Sequence, residues 1–354
     1  MNAEFIWFAS NKFFSQFVSV AKYCWSMLIW PNDGSLFSYA LFNNGRHRFP
    51  PMARPFIKWA GGKRQLLEEL IKSLPDNLKN APPFNYAEPF VGGGALMFKL
   101  FELNFIDKAV ICDYNPELVL VYKCIKHQCE ELITELNVLQ DKYNSLDKEE
   151  RREMYFEIRS KFNESAEGIV HESPNSKWPK RASEFIFLNK TGFNGLYRVN
   201  KKGRFNVPPS NMGNKDFLQA ENLRNVSRVL AHVTILQGDY QSCLNHLVEG
   251  SFVYFDPPYR PLKKTSFTTY SSHSWAEDSE QIRLAHFCHI LGKNGVSIMQ
   301  SNSDPTSLDQ TDTFFQDHYS SDDGFFIRKV VAIRAINSSG SGRGKINELL
   351  ITNY

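Results

Sequence analysis

The most specific chemical feature of the sequence is the tetrapeptide Asp256-Pro257-Pro258-Tyr259, which follows the apolar run 252–255. The two prolines fix their own φ angles and lack a backbone donor, so they leave rigid carbonyl groups beside a carboxylate and an aromatic ring. A planar amine would donate one N–H to the Asp256 carboxylate and the other to the Pro257 carbonyl, while Tyr259 stacks on the ring that carries the amine. A strand followed by a turn explains the prolines but neither the acid nor the aromatic residue, so we favour an amine-binding site.

A second candidate site is the segment Phe90-Val-Gly92-Gly-Gly94, which comes where a predicted strand turns into a helix. Glycines let the backbone approach a ligand at the carboxyl end of a strand. The segment is neither Gly-x-Gly-x-x-Gly nor a P-loop, and alone it is equally typical of a tight structural turn. Asp113 follows about twenty residues later at the end of the next predicted strand, from where a carboxylate reaches ribose hydroxyls. The glycine segment and Asp113 together indicate a nucleoside-type ligand.

The elements that must position these residues alternate between strands and helices. Apolar runs that end in an acid are typical of buried parallel strands, and Pro116 suits the first turn of a helix. We therefore predict an α/β, Rossmann-like fold whose mainly parallel sheet is closed by an antiparallel C-terminal pair. The predicted strands are 84–88, 109–112, 233–236, 252–255, 296–299, 325–336 and 346–352, with helices over 95–103 and 280–291.

Length and composition permit one large domain or a domain with an insertion. The 354 residues are 42% hydrophobic, 22% charged and 14% aromatic, which excludes a disordered chain, a collagen and a disulfide miniprotein. The net charge of +3 neither requires nor forbids a polyanionic partner. The six cysteines form no Cys-x-x-Cys pair, which favours reduced thiols in a cytoplasmic protein and predicts neither a disulfide nor a metal site.

The first 51 residues are interpreted separately. Charged residues interrupt the aromatic-rich segment 1–30, so a membrane span does not fit. A secretory signal does not fit either, because the segment starts with an acid and has no small-residue cleavage site after an apolar core. Residues 31–51 are typical of a turn-rich linker. We predict that the working domain begins at Met52. An upstream start codon explains the extension most simply, and an accessory packing helix is the alternative. The predicted catalytic parts are 52–125 and 232–354.

Between them, residues 126–231 are predicted to form an inserted, mainly helical recognition domain. Residues 171–230 carry eleven Lys and Arg but four Asp and Glu, a local charge of +7. Phosphate charge supplies most non-specific affinity for nucleic acid, so this stretch suits a DNA backbone. A solvated charged face explains the same charge equally well.

Four motifs in one order resemble the Dam-type (D12 class) S-adenosylmethionine-dependent DNA adenine-N6 methyltransferases over residues 52–354. The resemblance implies a methyl transfer from S-adenosylmethionine to adenine N6 in double-stranded DNA, with the adenine swung out of the helix. The motifs are Phe-Ile-Lys-Trp-Ala-Gly-Gly-Lys at 56–63, Glu-Pro-Phe-Val-Gly-Gly-Gly at 88–94, Gly-Phe-Asn-Gly-Leu-Tyr-Arg-Val-Asn at 192–200 and Asp-Pro-Pro-Tyr at 256–259.

The resemblance also implies roles for individual cofactor residues. Trp59 and Lys63 match contacts to the methionine end and backbone of the cofactor, and Asp113 matches the ribose-binding acid. Asp239 with Tyr240 matches the pair that holds the cofactor's adenine. Asp256 touches both cofactor and target amine.

Six further positions match residues that contact DNA. Phe193 and Asn194 match side chains that enter the duplex beside the flipped base. Leu196, Arg198 and Pro208 match base-reading positions in enzymes that modify GATC. Lys58 matches a residue that reads the first guanine. Phosphate contact is the alternative for Lys58 and Arg198.

The function predicted from the resemblance is adenine-specific methylation, most simply at GATC, by a cytoplasmic, nucleoid-associated monomer without a membrane partner. A longer site such as GATATC is an alternative, as is methylation of a protein glutamine amide, which the basic insertion disfavours. A DNA-binding protein without catalysis is a further alternative, which the intact Asp256 and Tyr259 disfavour. A partner restriction endonuclease encoded nearby stays open.

Overall fold

The computed structural model describes residues 53–166, 169–262, 275, 277–334 and 344–354, and within them seven strands form one sheet. The residues predicted to form the N-terminal extension and linker lie outside this description. All described residues belong to the compact unit Arg46–Tyr354. The strands are β1 (Tyr86–Glu88), β2 (Ala109–Asp113), β3 (Val233–Gln237), β4 (Phe252–Phe255), β5 (Ser297–Ser303), β6 (Phe326–Arg334) and β7 (Gly344–Thr352).

The strand order is β3-β2-β1-β4-β5-β7-β6, and the first five strands in the chain run parallel. β7 lies antiparallel between β5 and β6. The sheet grows outward in opposite directions from β1 and β4, so its topological switch point lies between these two strands. Ligands of open α/β sheets bind in the crevice outside the carboxyl ends at such a point.

The predicted helices are confirmed within a few residues. Pro116 occupies the first helical position after Asn115, whose side chain accepts hydrogen bonds from the N–H groups of Glu117 and Leu118. The helices are α1 (Leu67–Lys72), α2 (Asp76–Asn80), α3 (Ala95–Glu102), α4 (Pro116–His127), α5 (Cys129–Ser145), α6 (Lys148–Glu164), α7 (Trp178–Thr191), α8 (Ala220–Leu230), α9 (Asp278–Lys293) and α10 (Phe314–His318).

The predicted fold class is confirmed, and β5 extends furthest beyond its predicted bounds. The sequence predicts a strand over 296–299, whereas β5 continues through Gln300 to Ser303. These last residues are polar but buried, and their side chains have internal partners: Gln300 Oε1 accepts from the Tyr319 hydroxyl, and Asn302 Nδ2 donates to Gln281 on α9. Helices α5 to α7 and most of the chain up to β3 lie where the insertion is predicted, and the domain boundaries stay a prediction.

A hydrophobic cluster under α9 supports the carboxyl end of the sheet. Val253, Phe255, Leu284, Phe287 and Ile298 are buried within it. This packing of α9 on β4 and β5 supports the end of β4, from which the tetrapeptide 256–259 continues.

Membrane spans, metal sites and disulfide bonds can be assessed in the described residues. No helix there is long and apolar enough to cross a membrane. No group of three His, Cys, Asp or Glu side chains in that part of the chain is arranged to hold a metal ion. The described cysteines, which are Cys112, Cys124, Cys129, Cys243 and Cys288, are free thiols.

Candidate active site

One cavity of about 2330 Å³ opens at the carboxyl ends of β1 and β4 and unites most of the predicted site residues. Its walls come from the tetrapeptide 256–259, the glycine segment and the predicted insertion. The predicted site residues that line it are Lys58, Trp59, Lys63, Phe90, Gly92, Gly94, Asp113, Asn194, Arg198, Asp239, Tyr240, Asp256, Pro257 and Tyr259.

At the tetrapeptide, Lys63 connects the acid and the aromatic residue. Its ammonium Nζ lies 2.7 Å from Asp256 Oδ1, 2.7 Å from the carbonyl oxygen of Gly61 and 4.8 Å from the centre of the Tyr259 ring. The Tyr259 hydroxyl donates a hydrogen bond of 2.6 Å to Glu348 Oε2. Asp256 and Tyr259 are therefore each held by a residue distant in sequence.

Burial raises the pKa of the Asp256 and Glu88 carboxyl groups in this cavity. Desolvation raises the pKa of Asp256, and the nearby Lys63 ammonium opposes that increase. Desolvation also raises the pKa of Glu88 to about 8, although its carboxyl group accepts hydrogen bonds from the Tyr86 hydroxyl and the Met97 N–H. Asp256 is thus paired with a cation, whereas the hydrogen bonds to the buried Glu88 carboxyl group come from a hydroxyl and a backbone N–H.

The backbone of the tetrapeptide is fixed by a buried polar network. Gln281 Nε2 donates to the Pro258 carbonyl at 2.9 Å, and Gln281 Oε1 accepts from Asn302 Nδ2 at 3.0 Å. Asn302 Oδ1 in turn accepts from the Arg260 N–H at 3.0 Å. Buried hydrogen-bond networks that satisfy all their members rigidify the segment they hold.

The glycine segment approaches Trp59 and Asp113 closely. Gly92 has φ +46°, and a Cβ there would lie 2.6 Å from Trp59 Cδ1. Asp113 Oδ2 accepts a 3.2 Å hydrogen bond from the Gly92 N–H, and Oδ1 accepts from Asn115. Burial raises the pKa of Asp113 to about 6, whereas these hydrogen bonds lower it. Only glycine fits between the backbone turn and the indole.

An aromatic and charged group lies at the end of β3. Asp239 Oδ2 pairs with Arg283 Nη2 at 2.5 Å, and the guanidinium stands 4.6 Å from the centre of the Tyr240 ring. The Tyr240 ring packs against Phe90 and Trp275, with centroids 5.4 and 6.3 Å away. Among the described residues, the buried Tyr240 hydroxyl has no hydrogen-bond partner. Buried hydroxyls rarely lack one, so this atom suits a ligand contact.

Five of the six predicted DNA residues lie in the hairpin-like segment 192–209 after α7, called the recognition hairpin below, whereas Lys58 precedes α1. Phe193 is 47% exposed, Pro208 is exposed, and the Phe193 N–H donates to the Pro208 carbonyl at 2.9 Å. The Arg198 guanidinium donates through Nε to Asn206 Oδ1 at 2.7 Å. Asn194 is in the left-handed region with φ 55°. Phe193, Leu196 and Pro208 do not line the cavity.

Sequence reasoning missed several cavity residues. Glu348 on β7 and Arg283 on α9 follow the tetrapeptide in the chain without a motif of their own, and only the sheet order and the packing of α9 bring them to the site. Glu88 belongs to a motif singled out above, and its position at the end of a buried strand could have drawn attention to it.

Sequence comparison identifies the family to which this arrangement belongs. The profile described as D12 class N6 adenine-specific DNA methyltransferase matches residues 59–336. The chain belongs to this family. It is therefore an adenine-specific DNA methyltransferase that uses S-adenosylmethionine as methyl donor and DNA as substrate, and the resemblance inferred from the four motifs is confirmed.

Individual relatives match over most of their length. The Type II methyltransferase M.MjaIII of Methanocaldococcus jannaschii is 46% identical over 303 residues, covering 85% of this chain and 99% of that protein. The Type II methyltransferase M1.LlaDCHI of Lactococcus lactis subsp. cremoris is 35% identical, covering 85% and 95%. A DNA adenine methylase of Vibrio cholerae is 31% identical, covering 84% and 95%.

The chemistry of the cavity fits the cofactor. Asp113 offers a carboxylate for a ribose diol. The Tyr240 hydroxyl, which has no partner in the described part of the chain, lies among aromatic rings that suit adenine, and the glycine segment adds no side chain there. A carboxylate, a hydroxyl and aromatic rings in one cavity are groups that suit the ribose and the adenine of S-adenosylmethionine.

Proposed function

We propose that the protein methylates N6 of an adenine swung out of duplex DNA, within the sequence GATC. The observation that carries the proposal is the shared cavity. Asp256 and Tyr259 line it together with Gly92 of the glycine segment and with Asn194 and Arg198 of the recognition hairpin. In this proposal the methyl donor, the target amine and the DNA-reading side chains meet in this cavity.

Asp256, Pro257 and Tyr259 act on the target base in this proposal. The N6 amine donates one hydrogen bond to the Asp256 carboxylate and one to the Pro257 carbonyl, which favours a localised lone pair on the nitrogen. Lys63, 2.7 Å from Asp256, stabilises the ionised carboxylate against its burial, so Asp256 accepts a hydrogen bond. Tyr259 stacks on the base, and Glu348 fixes the orientation of its ring.

The remaining cavity residues position the cofactor. When bound, S-adenosylmethionine supplies a methyl group already activated on a sulfonium, so that alignment carries much of the work. Asp113 binds the ribose, Asp239 and Tyr240 hold the adenine, and Phe90, Gly92 and Gly94 form the wall between them. Trp59 and Lys63 lie at the methionine end.

Base flipping costs roughly a few kcal/mol in unstacking and unpairing. Phe193, whose side chain is 47% exposed, and Asn194 offset this cost by filling the space that the adenine leaves. The local charge of +7 over residues 171–230 contributes phosphate contacts.

Sequence choice is assigned to side chains around the hairpin. Lys58 reads the first guanine, Arg198 grips a second guanine, and Leu196 and Pro208 contact thymine methyl groups. Two relatives are named Type II methyltransferases, which supports a companion restriction endonuclease for this chain. We propose that the enzyme acts as a monomer on DNA in the cytoplasm, at the nucleoid.

The test is methylation-sensitive sequencing of plasmid DNA from cells that express the full chain, with Asp256→Ala as the matched control. N6-methyladenine confined to GATC and absent from the control is the expected result. Methylation at a longer GAT-containing site such as GATATC would overturn the sequence assignment alone. The absence of any methylated adenine would overturn the proposed function.

A further inference from the structure

The side-chain amide of Asn189, in the last turn of α7, connects two segments that are both predicted to contact DNA. Asn189 Oδ1 accepts a 2.9 Å hydrogen bond from the Lys58 N–H. Its Nδ2 donates to the carbonyl oxygens of Lys58 and Gly195, both at 2.8 Å. Asn189 is 3% exposed, so both amide protons and the oxygen are used in a buried place.

The two segments joined by Asn189 also touch directly. Gly195 has φ +65°, and a Cβ at this position would lie 2.5 Å from Lys58 Cβ. The preceding residue, Asn194, is also left-handed at φ 55°. The turn therefore has a backbone shape that places it against Lys58, with no room for a side chain.

Lys58 belongs to a segment that continues into the cofactor and catalytic contacts. The neighbouring Trp59 ring stacks at 6.1 Å on Tyr197 of the recognition hairpin and lies against Gly92. Lys63 pairs with Asp256. A displacement of the Lys58 backbone would thus change the position of the Lys58 side chain relative to Asp256.

We propose that Asn189 is a specificity-determining positioning residue, which fixes Lys58 and the 193–196 turn as one DNA-reading unit. This inference rests on the proposed function. The Lys58 side chain is exposed, so its reach along the DNA is set by its backbone. Binding both the N–H and the C=O of one residue fixes the position and the orientation of that backbone, whereas a single hydrogen bond would allow rotation.

The test compares turnover of the full chain on the cognate duplex and on duplexes with one substituted base pair. The variant Asn189→Asp keeps the acceptor for the Lys58 N–H but turns a carboxylate oxygen toward two carbonyl oxygens. The matched control is Thr191→Val, because the buried Thr191 hydroxyl donates only to the Phe187 carbonyl of its own helix. Binding of S-adenosylmethionine reports on the integrity of the catalytic part.

The base pair read by Lys58 is first identified as the one at which Lys58→Ala loses discrimination. We expect Asn189→Asp to lose about tenfold in discrimination at that pair, as for the loss of a good base contact. Cofactor binding stays unchanged, and Thr191→Val keeps the discrimination of the unmodified chain. In the Lys58→Ala background, Asn189→Asp costs little more at that pair because the two residues act as a unit.

Unchanged discrimination in Asn189→Asp, or full additivity with Lys58→Ala, would overturn the inference. An equal loss on every duplex together with weaker cofactor binding would also overturn it, since that pattern marks a general structural role. These outcomes are distinguishable from a failure of the proposed function, in which the unmodified chain itself methylates no adenine.

Discussion

The catalytic end of the cavity and the recognition hairpin 192–209 are held in different ways. At the catalytic end, Asp256 and Tyr259 each have a buried or half-buried partner from another part of the chain. In the hairpin, Phe193 and Pro208 are exposed, and the Arg198 guanidinium is held by Asn206 eight residues away.

The difference corresponds to two requirements of the reaction, which are fixed reacting groups and an exposed surface for DNA. In-line transfer tolerates little displacement, so the reacting groups are fixed by long-range contacts in a desolvated place. A surface that enters and leaves a duplex must expose its side chains to water before the DNA arrives. Asn189 combines both features, because its buried side-chain amide fixes the backbone of the exposed Lys58 and of the 193–196 turn.

The largest expected effect is that of Asp256→Ala. Removing the acceptor of the target amine should lower turnover by at least about 100-fold, as for loss of a preorganised polar group at the reacting centre. Binding of duplex DNA should persist, because the basic hairpin is untouched. Transfer from tritiated cofactor and a DNA-binding titration measure the two quantities. Substantial residual turnover would contradict the role of Asp256.

The next effect concerns the anchor of Tyr259. Burial raises the pKa of its hydroxyl well above the ordinary value, so the group stays protonated and donates to Glu348. Glu348→Leu should lower kcat about tenfold or more, since a hydrogen bond to a charged group contributes about 1.5–3 kcal/mol. Glu348→Gln keeps an acceptor oxygen and should recover most of the turnover. Equal losses in both variants would show that the charge, and not the hydrogen bond, matters.

A change in the hairpin should alter selectivity more than rate. Arg198→Ala is expected to relax discrimination at one guanine-containing pair by about 1–3 kcal/mol. Lys202→Ala in the same hairpin is the control, and it should weaken binding evenly and lower the salt dependence. Turnover on duplexes with one substitution at each position distinguishes them. An even loss for Arg198→Ala would reassign this residue to phosphate contact.

Glu88 should give the catalytic end a pH-dependent stability. Its pKa is raised by burial to about 8, above the ordinary 4.5. In this pH range the folded state retains a proton that the unfolded chain releases. The free energy of unfolding therefore falls as the pH rises from about 5 to about 8, by up to about 1.4 kcal/mol per pH unit. Denaturant titrations should show a weaker fall for Glu88→Gln. The exposed Glu249→Gln should retain the fall of the unmodified chain.

The smallest effect is expected from removing residues 1–51. Among the residues that the structure describes, those lining the cavity follow Met52, so a chain that begins there should retain turnover and cofactor affinity. Both are measured beside the full chain under identical conditions. Loss of cofactor binding would assign the extension to the working domain.

Much of the sheet was predictable because its buried parallel strands are short apolar runs that end in an acid. The strand 252–255 was predicted with the observed bounds, and Pro116 marked the start of α4. The polar end of β5 was not predictable in this way. Gln300 and Asn302 look exposed in sequence, but their side chains are buried against α9, where they hydrogen-bond with Cys288 and Gln281.

The sequence by itself determined the family, the order of its motifs and the residue types that its chemistry needs, because motif residues lie close together along the chain. The tertiary structure alone decided which partners hold them. Lys63 meets Asp256, Glu348 meets Tyr259 and Asn189 meets Lys58 across separations of 89 to 193 residues. Such contacts depend on strand order and helix packing, which bring distant residues together and leave no local pattern in the sequence.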